Sequence, residues 1–171
     1  MVTLENPLRK ADQLDAITQR VGSALWQLQE LEGATAQYFV LVAQATLGMG
    51  HEAGQSLLDK AQNKTFGSTV TQLAKAKLLP QELEARFKAL LVERNWLVHS
   101  SRASNRNAVH DDSACDSLLE RLNLIAEEAR LLLKQVVKQV EVYANGSGIS
   151  PAKIDALASE ILKQWHGNDA I

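Results

Sequence analysis

The sequence predicts an all-α protein, an antiparallel helical bundle with two long helices and several shorter ones. Three observations carry this. Apolar residues recur at three- and four-residue steps through two long segments. No stretch sustains a period of two, as a half-buried strand would. Proline and glycine are scarce, 3 and 9 in 171 residues, and most fall at breaks between the periodic segments.

The first long helix is predicted over 11–46, with Leu14, Ile17, Val21, Leu25, Leu28, Leu31, Ala34, Tyr38 and Val42 inward. Gly22 and Gly33 weaken it by roughly 1 kcal/mol each relative to alanine, and a bend is placed at Gly33. "GMGHEAG" ends it. A shorter helix follows over 52–62, then the turn "NKTFGST", then a short helix over 68–77 with Val70, Leu73 and Ala74 inward. Pro80 fits a first helical turn, where its missing N–H costs nothing. The helix it opens runs to His99 and gives way to a polar loop, "SSRASNRNAVHDDSA".

The second long helix is predicted over 112–144. Leu118, Leu122, Ile125, Ala129, Leu132, Val136, Gln139 and Tyr143 step 4-3-4-3-4-3-4. Such a seam favours an antiparallel partner at a shallow angle. At 1.5 Å per residue each long helix would be about 50 Å, and the simplest arrangement pairs the two with each other. "NGSG" stops the second. Ser150 then reads as an N-cap before Pro151. Ile154, Leu157, Ala158, Ile161 and Trp165 line a last helix closed by Gly167. Trp26 and Trp165 read as core.

One domain over 1–171 suits this length, and the chain can bury a core without staples. The single cysteine, Cys115, forbids an internal disulfide framework and reads as a buried thiol. The first residues lack the basic-then-apolar order of a leader. No apolar run approaches the roughly 20 residues that span a bilayer. The expectation is a soluble cytoplasmic protein with no membrane partner. A net charge of −2 argues against a general nucleic-acid binder. Residues 86–110 still form a locally basic stretch, with Arg86, Lys88, Arg94, Arg102 and Arg106 against Glu93.

The stretch "LVERNWLVHSSR" (91–102) is the one that suggests chemistry. Phe87, Leu91, Arg94 and Val98 follow one helical stripe, so Arg94 sits where a leucine would be expected. With Arg94 at 0°, Val98 lies at about 40°, Asn95 at about 100° and His99 at about 140°. Three polar groups thus share an arc at the end of a helix.

Here the sequence resembles the HEPN domains (higher eukaryotes and prokaryotes nucleotide-binding). Their signature is an arginine, a polar residue after it, and a histidine separated from the arginine by four to six residues, at the end of a bundle helix. "RNWLVH" is similar, with Arg94, Asn95 and His99 in the matching places. The order of long helix, short helices, motif helix and long helix is similar too. The resemblance implies an endoribonuclease without metal or other cofactor, acting as a homodimer on RNA. It further implies a toxin of a toxin–antitoxin or phage-defence system, with an antitoxin protein as partner. His99 would take the proton of a ribose 2′-OH or give one to the leaving oxygen. Arg94 would hold the phosphate, Asn95 would support, and a second subunit would face the Arg94 seam. Arg102 and Arg106 would contact substrate phosphates. The alternative implied is a non-catalytic HEPN-like bundle, a protein-interaction or nucleotide-binding module.

Plainer readings stand beside these. The macrodipole alone favours a histidine at a helix C-terminus. Arg94 could pair with Glu30 or Glu32 inside a purely structural bundle, and Asn95 could cap or face water. His51 with Glu52 lacks the second histidine of a zinc helix motif. His110-Asp111-Asp112 reads as the start of the second long helix, where acids are favoured. "KTFGST" has the wrong order of glycine and lysine for a phosphate-binding loop.

Overall fold

The computed structural model describes residues 7–46, 48–148, 152 and 156. Among them are α1 (Pro7–Ala43), α2 (His51–Gln62), α3 (Phe66–Lys75), α4 (Gln81–His99), α5 (Ser101–Ser104), a 3-10 turn (Arg106–Val109) and α6 (Asp112–Gly146). No strand occurs among the described residues, and the all-α antiparallel bundle expected from the periodicity is what forms. The helix expected between Ser150 and Gly167, Trp165 included, lies outside the described residues apart from 152 and 156. The chain divides into two compact units, 1–136 and 137–171. The described part of the second is chiefly the last turns of α6, where Ala144 is buried and Val142 is exposed. The packing below belongs to the first.

Local chemistry sets the breaks. Gly48 and Gly50, both at φ 81°, carry the chain from α1 to α2 in a region costly for other residues. Thr65 caps α3 by accepting from the Ser68 N–H. α3 ends in a Schellman arrangement: the Leu78 N–H reaches Leu73 O, the Lys77 N–H reaches Ala74 O, and Lys77 adopts φ 56°. Pro80 sits one place earlier than expected, as the N-cap rather than inside the first turn. Asp111 caps α6 through the Ala114 N–H at 2.8 Å, so His110-Asp111-Asp112 does begin that helix.

The polar loop expected after His99 is mostly helical, in α5 and the 3-10 turn. Its serines and asparagine bond back to the backbone of the preceding turn: Ser101 to Leu97 O, Ser104 to Ser100 O and Asn105 to Ser101 O. That self-bonding, which suggested an irregular loop, here holds successive turns.

The α6 seam is as read over Leu118, Leu122, Ile125, Ala129, Leu132 and Val136, all buried. Its partner differs from the expected one. Arg86 of α4 makes a two-pronged ion pair with Glu128 (2.8 and 2.9 Å), and Arg121 does the same with Glu93 (2.8 and 3.1 Å). From 86 to 93 the chain rises as it does from 128 back to 121, so α4 and α6 run antiparallel in fixed register. α1 also runs against α4, with Glu32 beside Arg94 and Tyr38 donating to Leu78 O. The starts of α1 and α6 meet, where Arg9 and Gln13 bond Asp112. The two long helices therefore begin at one end, and the shorter α4 is the antiparallel neighbour of both.

α1 stays helical through both Gly22 and Gly33. Its buried seam is Ala24, Leu28, Leu31, Thr35 and Tyr38. Trp26, expected in the core, is 65% exposed. At about 100° per residue it falls some 160° round from Leu28, on the opposite side of the helix. Leu14, also expected inward, is 53% exposed. Between α1 and α4, Phe66, Val70 and Leu73 of α3 fill the interior, and Phe66 meets Phe87 edge-on at 5.9 Å.

Candidate functional site

α4 turns a seam toward the core in steps of 4-3-4-3: Leu83, Phe87, Leu90, Arg94, Leu97. Four of these are buried apolar residues. Arg94 takes the remaining place, half-buried, and its Nε donates to Glu32 Oε1 at 3.1 Å. Of the two glutamates that could meet it, Glu32 does, while Glu30 lies exposed. The seam cation is thus compensated inside the chain by Glu32 of α1, one of the two glutamates named as its plainer partners.

Beside this pair lies a cleft of about 430 Å³. Arg94, Asn95 and His99 line one wall, so the structure brings the three motif residues together. Glu32 closes it on the α1 side. Lys64, Thr65 and Gly67, from the α2–α3 turn and the start of α3, form the opposite wall. In the sequence these three fall in "KTFGST", set aside because it lacks the order of a phosphate-binding loop, and nothing in a turn announces which distant helix it will face.

The cleft has donors to spare. Arg94 uses Nε on Glu32, and its Nη1 reaches only Asn95 Oδ1 at a long 3.5 Å. Lys64 Nζ bonds the neutral Gln72 side chain at 3.2 Å and stands 5.2 Å from the centre of the Phe39 ring, so its charge meets no carboxylate there. The first turn of α3 leaves N–H groups without helical partners, and the dipole there favours an anion. A Cβ placed on Gly67 would meet just Leu91 at 3.8 Å, so the backbone there is open to the cleft. His99 is exposed and has no hydrogen-bond partner among the described residues. The cleft thus sets spare donors of Arg94, Lys64 and the start of α3 beside an exposed imidazole, an arrangement suited to an anion.

Arg102 and Arg106 do not line this cleft. They border a separate groove between α1 and the α5 segment. The basic stretch over 86–110 is also largely compensated, since Arg86, Lys88 and Arg94 each hold a glutamate.

Trp96 stands on α4's α6 side. The Arg121 guanidinium lies 3.4 Å from its ring centre, and its Nε1 donates to Ser104 Oγ at 3.1 Å. Cys115 is buried. Burial pushes its thiol pKa up, and Asp116 and Asp112 add to this, the reverse of what a nucleophile needs. No described helix is long and apolar enough to cross a membrane. No protein-family model, curated protein or solved structure matches the chain.

Proposed function

We propose that the protein is a metal-independent endoribonuclease of HEPN type. The observation that carries this reading is the convergence of Arg94, Asn95 and His99 on one cleft whose far wall is Lys64 and the start of α3. Phosphate suits that wall, and a histidine is the side chain whose ordinary pKa best serves proton transfer near neutrality. In the reaction a ribose 2′-oxygen bonds to the adjacent phosphorus and the 5′-oxygen leaves, giving a 2′,3′-cyclic phosphate and a 5′-hydroxyl. His99 takes the 2′ proton or supplies one to the 5′-oxygen. Arg94 and Lys64 offset the charge that builds on the phosphate, and Asn95 orients its neighbours.

A full acid–base pair calls for a second imidazole, and we infer a homodimer that supplies it. Val92 and Val98, 66% and 48% exposed, flank Asn95 and His99 on the outward side of α4 and suit contact with another copy. We place the enzyme in the cytoplasm, as the toxin of a toxin–antitoxin or phage-defence system held by an antitoxin protein. A second reading is favoured by the Glu32 contact, which occupies part of Arg94. In it the bundle binds a nucleotide or a partner protein at the same cleft and cuts nothing.

The deciding experiment is RNA cleavage in excess EDTA by wild type and His99→Ala, with both folds checked by circular dichroism. Loss of at least about 100-fold in the variant is expected for removal of a general acid–base group. Equal cleavage by both overturns the role of His99. No cleavage by either turns the assignment to the binding module.

A further inference from the structure

Among the described residues, α1 carries its core stripe past the part of the bundle that covers it. Lys10, Leu14, Ile17 and Val21 fall within about 40° of Leu28 around the helix. Leu28 is buried, yet Leu14 is 53% exposed and Ile17 and Val21 are only half-buried. They form one side of a groove of about 450 Å³, completed by Val109 of the 3-10 turn and Leu118 of α6. The rim holds Lys10, Arg102 and Arg106, all exposed. None of these three cations has a carboxylate partner among the described residues, whereas the neighbouring Arg9 is paired with Asp112.

We infer that this groove docks an acidic amphipathic helix of a partner protein. From Lys10 to Val21 the stripe rises about 16 Å, three turns of helix. An incoming helix could lay apolar residues at i, i+3 or i+4, and i+7 on Leu14, Ile17 and Val21. Its carboxylates would then meet the three rim cations. The charge complementarity selects the partner: a basic or neutral helix would leave those cations opposed or unpaired. The inference does not depend on the RNA reading, since none of these residues lines the cleft of Arg94, Asn95 and His99.

The test uses the full-length protein and two fluorescein-labelled 14-residue helical peptides. Both carry leucines at i, i+3 and i+7, one flanked by glutamates and one by lysines. Fluorescence anisotropy is expected to show saturable binding of the glutamate peptide, weakening with added salt. Arg102→Glu with Arg106→Glu should reduce that binding by at least about tenfold and bring in the lysine peptide. Leu14→Asp should also reduce it by at least about tenfold. All three positions are exposed, so the fold should persist, and circular dichroism checks this. Equal binding of the two peptides by wild type, no binding of the glutamate peptide, or binding indifferent to both sets of variants would each overturn the inference. Tighter competition by dodecanoate than by unlabelled glutamate peptide would overturn it in favour of a small amphiphile.

Discussion

The two flanks of α4 hold their neighbours in different ways. On the α6 side, Arg86–Glu128 and Arg121–Glu93 are both two-pronged, one heptad apart, with the Trp96 ring against Arg121. Both arginines there spend two nitrogens on a carboxylate. On the α1 side, Arg94 meets Glu32 through one nitrogen, at 3.1 Å, and a cleft opens beside it. A fork that is fully matched fixes geometry and has little left to offer a ligand. A fork that is half matched keeps donors available while staying in place. The flank toward α6 is fully matched, and the flank toward α1 and α3 keeps donors available beside the cleft.

That contrast predicts which arginine activity depends on. The largest difference should come from comparing Arg94→Ala with Arg86→Ala. Removing Arg94 should lower RNA cleavage about 100-fold, as expected for loss of a preorganised phosphate donor. It should cost only about 1 kcal/mol of stability, because Glu32 can reach water from its partly exposed position. Removing Arg86 should also cost about 1 kcal/mol, reduced by salt, while cleavage per folded molecule stays unchanged. Urea titration and cleavage assays on the two variants would check this. Equal loss of cleavage in both would erase the distinction between the flanks.

A smaller effect is expected at Trp96. Trp96→Phe gives up the bond to Ser104 and part of the stacking on Arg121. Its cost should be about 0.5–1 kcal/mol in thermal unfolding, with cleavage retained. A large loss of activity instead would mean that the α6 flank positions His99 through the start of α5.

The smallest effect concerns Cys115, which continues the α6 seam one step before Leu118. Its raised pKa in the fold means that folding favours the neutral thiol. The corresponding stability is present below the pKa of the unfolded thiol and is lost as pH rises toward the folded value. Stability should therefore fall modestly above about pH 8.5, where unfolded thiols ionise, and this fall should vanish in Cys115→Ala. Alkylation by iodoacetamide should be slow in native protein and fast in urea. Rapid native alkylation would show that the α6 flank opens readily.

How far the site was legible follows from the same residues. Arg94, Asn95 and His99 lie within six positions on one helix, so the helical period alone puts them on one arc. Lys64 and Gly67 could not be found that way, since their nearness to His99 depends on how α3 turns back onto α4. Glu32 was legible as one of two candidates. The register of α1 against α4 made the choice. Arg102 and Arg106 follow His99 closely in sequence, but the extra turns of α5 and the 3-10 segment carry them to another groove.

The sequence by itself determined the two long helices and α2 to α4, the breaks between them, the α6 seam from Leu118 to Val136 and the end-of-helix placement of the motif. These depend on the 3.6-residue period, on caps and on glycine and proline, all of which act within a few residues. Only the tertiary structure decided that α6 lies antiparallel to α4, that Trp26 faces outward, and that the α1 stripe from Lys10 to Val21 stays partly exposed among the described residues. An apolar stripe states that a face wants burial, and its partner depends on contacts between residues many tens of positions apart. For α1, whose apolar residues spread over a wide arc, more than one face satisfies the pattern, and packing against α2, α3 and α4 selects the one that is buried.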